Sequence, residues 1–124
     1  MQESGFAGPV VCASFLHSEL LAIRSIEPLA KTMALFECVP VSGAAFARDA
    51  KASMVGLAHE SATAEFIAVL HDAGLEVFLY TVNEPRLIQR AIHLGADGVI
   101  SDYPERVPKA VRSRALRTVT AGAL

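Results

Sequence analysis

Four histidines (His17, His59, His71, His93) and 13 acidic residues are the groups of this 124-residue chain that could move protons or hold a cation. Their spacing is unhelpful for either task. No histidine pair has a metal-ligand interval such as H-x-x-x-H. His71 and Asp72 form a His-Asp dipeptide, but it falls in the last turn of a predicted helix, just ahead of Gly74. There, and at His93, a helix C-terminus favours a partly charged imidazole for structural reasons. His17 stands at a helix N-terminus, either on the surface or at the mouth of a site. His59 falls in a stretch of open conformation and reads as solvated. Asn83 precedes Glu84-Pro85 and can cap a helix, where a proline in the first turn loses nothing.

The elements that position these groups follow from periodicity. Val10–Phe15 (VVCASF), Thr32–Cys38, Leu75–Val82 and Gly98–Ser101 are apolar, β-rich runs that predict strands. Helical spacing predicts His17–Ile26, a helix capped by Ser61 or Thr63 and running to Ala73 with Phe66, Ile67 and Leu70 buried, and a helix after Pro85 with Leu87, Ile88, Ala91 and Ile92 on one face. Gly74 and Gly95 stand where helices end in the left-handed conformation. Gly43–Ala52 is alanine-rich and reads as a short helix, and Met54–Ala58 as a strand or an extended loop. Strands alternating with helices make right-handed βαβ units, so the strands are expected to be parallel.

Composition sets bounds. With 52% hydrophobic and 19% charged residues the chain can bury a core, and a net charge of −2 carries no global signal for nucleic acid. Cys12 and Cys38 lie in apolar runs and are expected to be reduced core residues. No stretch reaches the roughly 20 apolar residues of a membrane span. MQESGFAGP has no positive or apolar leader segment, so a cytoplasmic address is expected by default. Arg106, Lys109, Arg112, Arg114 and Arg117 make the tail basic, and Val107, Val111, Leu116 and Val119 give it a partial helical stripe. A basic C-terminal helix or tail over 108–124 is expected, solvated rather than bound to a membrane surface.

VFLYTVNEP followed by GADGVISDYP resembles the C-terminal signature of the glycerophosphodiester phosphodiesterase family. Tyr80, Thr81, Val82 and Asn83 stand on the first part, and Gly95, Asp97, Gly98, Ser101, Asp102, Tyr103 and Pro104 on the second. The family most often has Trp at Tyr80 and often Thr at Ser101. Ser14-Phe15 and the helix Leu20–Arg24 are similar to a Ser-Phe strand end and the helix after it. The resemblance covers roughly Val10 to Val107.

This resemblance implies an α/β fold of the phospholipase-C-like phosphodiesterase type. A complete (β/α)8 barrel needs about 200–250 residues, so 1–107 is expected to be the C-terminal half of a TIM (β/α)8 barrel, with about four parallel strands and flanking helices. The implied activity is metal-assisted hydrolysis of glycerophosphodiesters to an alcohol and glycerol 3-phosphate, in lipid metabolism, with Mg²⁺ or Ca²⁺ on carboxylates and two histidines as acid and base. The family's His-Arg-Gly, Glu-x-Asp, strand-end His-Asp and metal-binding Glu have no match here: Glu37 follows the Ser-Phe strand instead of preceding it. No catalytic or metal residue is therefore carried over, and no cation is expected to bind this chain alone. Ser14, Phe15, Tyr80, Asn83 and Asp102 are carried over as substrate-pocket candidates at strand ends. Phe15 and Tyr80 would be an apolar wall and Asn83 a donor to a phosphate oxygen, with helix capping or turn formation as the plain alternatives for Asn83 and Asp102.

Three functions remain open at this level. One is a fragment of such an enzyme, inactive alone. Another is a non-catalytic half-barrel that self-associates or pairs with another chain, driven by unpaired edges and a bare inner strand face. A third is an unrelated small α/β binding domain.

Overall fold

The computed structural model describes residues 11–37, 43–49, 51–106 and 117–120. Chain order gives β1 (Val11–Ser14), α1 (His17–Ile26), β2 (Lys31–Phe36), α2 (Ala45–Asp49), β3 (Met54–Ala58), α3 (Ala64–Asp72), β4 (Glu76–Tyr80), α4 (Pro85–Leu94), β5 (Gly98–Ser101) and β6 (Arg117–Thr120). All six strands form one sheet in the order β1-β2-β3-β4-β5-β6. Every pairing is parallel. This is the successive strand–helix winding of a βα-barrel, with the helices on one face.

Local chemistry explains the boundaries. The Thr63 side chain accepts the Phe66 N–H at 3.1 Å and caps α3. Gly95 closes α4 at φ +88°, in the left-handed region where glycine has no Cβ penalty. The cap of α4 is Glu84, with no side-chain bond to the helix, so Asn83 is not the helix cap. Its amide is used elsewhere, as described below.

Alternation along the strands sorts the core into two layers. Val55, Leu57, Val77, Leu79 and Val99 face the helices and pack with Phe66, Ile67, Leu70, Ile88 and Ala91. Met33, Leu35, Met54, Phe78 and Ile100 form a separate cluster on the concave face, with half-buried Tyr80 against it. In register, Leu35 lies beside Gly56, Gly56 beside Phe78, and Phe78 beside Gly98. The bulky phenylalanine thus sits between two glycines. A Cβ on Gly56 would come within 2.5 Å of Leu35 Cδ2, so any larger residue there would force the leucine to shift.

Two expectations are corrected. A bare concave face was expected of a half-barrel, yet Met33, Leu35, Met54, Phe78 and Ile100 are all at most 4% exposed. The parallel sheet brings the long side chains of these strands onto one another, and they bury themselves within the chain. The tail is not helical throughout: Arg117–Thr120 is a strand paired with β5. Three consecutive β-branched residues suit an extended backbone that can satisfy a strand edge. Residues 107–116, Cys38 and the side chain of Cys12, and with them the expected tail helix and the reduced cysteines, lie outside the described residues. Met54–Ala58, open between strand and loop in sequence, is a strand with Val55 and Leu57 fully buried.

Candidate functional site

The C-terminal strand ends gather the pocket candidates into two groups. At the ends of β1 and β4, the rings of Phe15 and Tyr80 meet edge-to-face, centroids 5.9 Å apart and planes at 86°. Phe15 is 49% exposed, so this pair presents an apolar wall to solvent. The Tyr80 hydroxyl donates to the Phe36 carbonyl, which fixes the ring against the end of β2. Ser14 serves the local turn, its hydroxyl accepting the Leu16 N–H at 3.0 Å.

At the ends of β4 and β5, Asn83 Oδ1 accepts the Asp102 N–H at 2.9 Å and the buried Ser101 hydroxyl at 3.0 Å. Asn83 Nδ2 donates to Asp102 Oδ2 at 3.0 Å. Ser101 Oγ in turn accepts the Tyr103 N–H at 3.0 Å. Arg106, read in the sequence only as part of the basic tail, donates to the Asn83 carbonyl at 3.2 Å and lies 3.9 Å from the centre of the Tyr103 ring. Both of the plain alternatives are thereby refined: Asn83 and Asp102 hold two strand ends together across the sheet instead of capping α4.

Two histidines, His17 and His59, follow β1 and β3 at this same end of the strands. His17 is half-buried, donates through Nε2 to the Leu35 carbonyl at 3.1 Å and packs 4.6 Å from the Phe36 ring centre. His59 sits 3.5 Å from Glu60, half-buried, not freely solvated. His71 pairs at 2.8 Å with Asp97 Oδ2, an oxygen that also accepts the Val77 N–H at 2.7 Å, at the opposite end of the strands. Among the described residues, no three of His, Cys, Asp and Glu group as a metal site requires. A groove of about 340 Å³ lies beside the Asn83 cluster, lined by Pro85, Arg86, Ile88, Gln89 and Arg106. None of the five pocket candidates lines it. No described helix is long and apolar enough to cross a membrane.

Parallel strands wound successively with outer helices, and a polar cluster at their C-terminal ends, define part of a TIM barrel. The family model described as "Glycerophosphoryl diester phosphodiesterase family" matches residues 3–106, and the chain belongs to that family. It is 27% identical over 112 residues to a glycerophosphodiester phosphodiesterase of Caldanaerobacter subterraneus, covering 90% of this chain and 46% of that protein. A candidate glycerophosphoryl diester phosphodiesterase of Silicibacter pomeroyi superposes with TM-score 0.74 at 29% identity, over 89% of this chain and 40% of that one. The fold is also that of an Oleispira antarctica phosphodiesterase solved with its product sn-glycerol-3-phosphate, at TM-score 0.77 and 19% identity, over 83% and 42% of the two chains. The chain thus spans less than half the length of these relatives.

Proposed function

We infer that this chain contributes the substrate-pocket side of a glycerophosphodiester phosphodiesterase site and is inactive alone. The observation that carries the reading is that both the Phe15–Tyr80 wall and the Asn83–Asp102 cluster stand at the C-terminal strand ends of a chain from this family. In βα-barrels those ends build the site. The wall would exclude water from the glycerol or alcohol moiety. The second amide hydrogen of Asn83 would donate to a phosphate oxygen, with the carboxylate of Asp102 holding the amide in place. The family's divalent cation, Mg²⁺ or Ca²⁺, would neutralise the phosphoryl oxygens. The described residues do not fit such a cation by themselves, so its ligands and the acid–base groups would come from strands that precede β1 in the relatives. A cytoplasmic location and a part in lipid metabolism belong to the same reading.

The test is reconstitution. The purified chain is assayed on glycerophosphocholine with Mg²⁺ or Ca²⁺, then again after co-expression with the N-terminal part of a related barrel. No turnover alone, and turnover in the pair that falls on Tyr80→Ala or Asn83→Ala, is expected. Cleavage by the lone chain that survives a chelator would overturn the reading.

A second reading, a non-catalytic module that associates through its first edge, is favoured by one observation. Leu16, Ile26 and Leu29, around α1 beside β1, are 64%, 83% and 91% exposed. Apolar groups at an open strand edge promote association. Sedimentation at micromolar concentration is expected to give at least a dimer, and a sharp monomer boundary counts against it.

A further inference from the structure

Three consecutive backbone carbonyls at the end of β2 each accept a hydrogen bond from a side chain of a different element. His17, the first residue of α1, donates through Nε2 to the Leu35 carbonyl at 3.1 Å. Tyr80, the last residue of β4, donates its hydroxyl to the Phe36 carbonyl. Ser61, in the turn after β3, donates to the Glu37 carbonyl at 2.7 Å. Strand pairing holds β2 to β1 only as far as Ala34 and to β3 only as far as Phe36. Ser61 is anchored in its turn. The Arg90 guanidinium of α4 forks onto the carbonyls of His59 and Ala62, on either side of it, at 2.8 and 3.1 Å. The His17 ring also packs on the Phe36 ring, 4.6 Å between centres.

Satisfying carbonyls does not by itself explain this arrangement. Glu37 is exposed, and water pairs an exposed carbonyl without fixing any side chain. Each fixed side chain loses rotamer freedom, so three of them on three successive peptides serve geometry. The middle peptide is the one the pocket depends on. The Phe36 carbonyl orients Tyr80, and the Tyr80 ring meets Phe15 edge-to-face at 86°. Successive rigid peptide planes share a Cα atom, so holding the planes on either side limits how the Phe36 carbonyl can turn. We propose that His17 and Ser61 are positioning residues of the Phe15–Tyr80 wall, acting through the end of β2. The proposal rests on the proposed function only for what the wall is for. A pocket wall has to be held to within about 0.5 Å, and side chains that never touch the ligand supply that hold.

The test is made on the full chain by nuclear magnetic resonance. The readouts are the contact between the rings at positions 15 and 80 and the χ1 populations at position 80. His17→Ala and Ser61→Ala each remove one outer donor, and Tyr80→Phe removes the middle donor while keeping the ring. In all three, the share of rings at position 80 that have left the wall is expected to rise roughly fivefold, the weight of one net hydrogen bond. His17→Gln and Ser61→Thr keep a donor and are expected to restore the contact. Asp97→Ala is the control. Asp97 bonds His71 and Val77 at the opposite end of the strands, so its loss weakens the fold and is expected to leave the wall in place. An unchanged contact in any of the three donor variants, no recovery in the conservative ones, or an equal loss in Asp97→Ala would overturn the proposal. A wall that moves as expected beside an inert reconstituted barrel would sink the proposed function alone. An unmoved wall beside an active barrel would sink the positioning alone.

Discussion

Asn83 and Asp102 are joined twice: the side-chain amide donates to the carboxylate at 3.0 Å and accepts the backbone N–H of Asp102 at 2.9 Å. The two residues are 19 apart in sequence and end adjacent strand–loop units. With the Ser101 hydroxyl as a third partner, one side chain fixes the relative position of both loops. Asn83→Ala is expected to lower stability by about 1–3 kcal/mol, because it strands a buried hydroxyl and a backbone donor. In a chain of this size that is a fall of roughly 5–15 °C in melting temperature. Asn83→Asp is expected to fall further, since it keeps the acceptor but sets a carboxylate against Asp102. Thermal unfolding of both variants checks this, and a loss smaller than that of a surface substitution would contradict it.

Gly56 is a packing requirement, not a turn. Its Cβ would meet Leu35 Cδ2 at 2.5 Å and Met33 Sδ at 2.9 Å inside the concave cluster. Gly56→Ala should destabilise by about 1–3 kcal/mol through overpacking. The penalty should shrink in a Leu35→Ala background, because the obstructing methyl is gone. Denaturant melts of the four-member cycle would show this as coupling, and additive effects would contradict it.

Thr32 is fully buried, and its hydroxyl has no hydrogen-bond partner. Thr32→Val preserves shape and removes the stranded group, so a gain of about 1 kcal/mol is expected. Equilibrium unfolding in urea measures it. A loss would mean that the hydroxyl is satisfied in solution.

His71 and Asp97 share one bond but not one importance. Asp97 Oδ2 also accepts the Val77 N–H at the start of β4, whereas His71 has 38% of its side chain in solvent. Asp97→Ala is expected to cost about 1–3 kcal/mol, and His71→Ala about 0–1. The reverse ranking in a melting experiment would mean that the ion pair, not the backbone bond, carries the contact.

Much of this architecture was visible in residue patterns. Helices α1 and α4 and strand β5 follow from apolar periodicity, with Gly95 and Thr63 marking ends through their own backbone chemistry. β3 was ambiguous because Gly56 weakens its strand signal, and the reason for that glycine is a leucine 21 residues away. Asn83 is suited to capping and to bridging alike, and its partners lie across the sheet, where local sequence cannot point. β6 was hidden in the sequence because Val107, Val111, Leu116 and Val119 give the tail a partial helical stripe. The self-buried concave face follows from packing within the sheet, which no single strand reveals.

The sheet order has a consequence for how the chain is made. Each strand pairs with the one synthesised just before it, and paired residues are between 19 (Gly98 with Arg117) and 22 (Met54 with Glu76) positions apart. Loop closure entropy rises only slowly with length, so these near-equal intervals make each step about as favourable as the last. No strand must wait for a distant partner to leave the ribosome. The topology suits vectorial growth from β1 onward, with each new strand–helix unit docking on a template already in place.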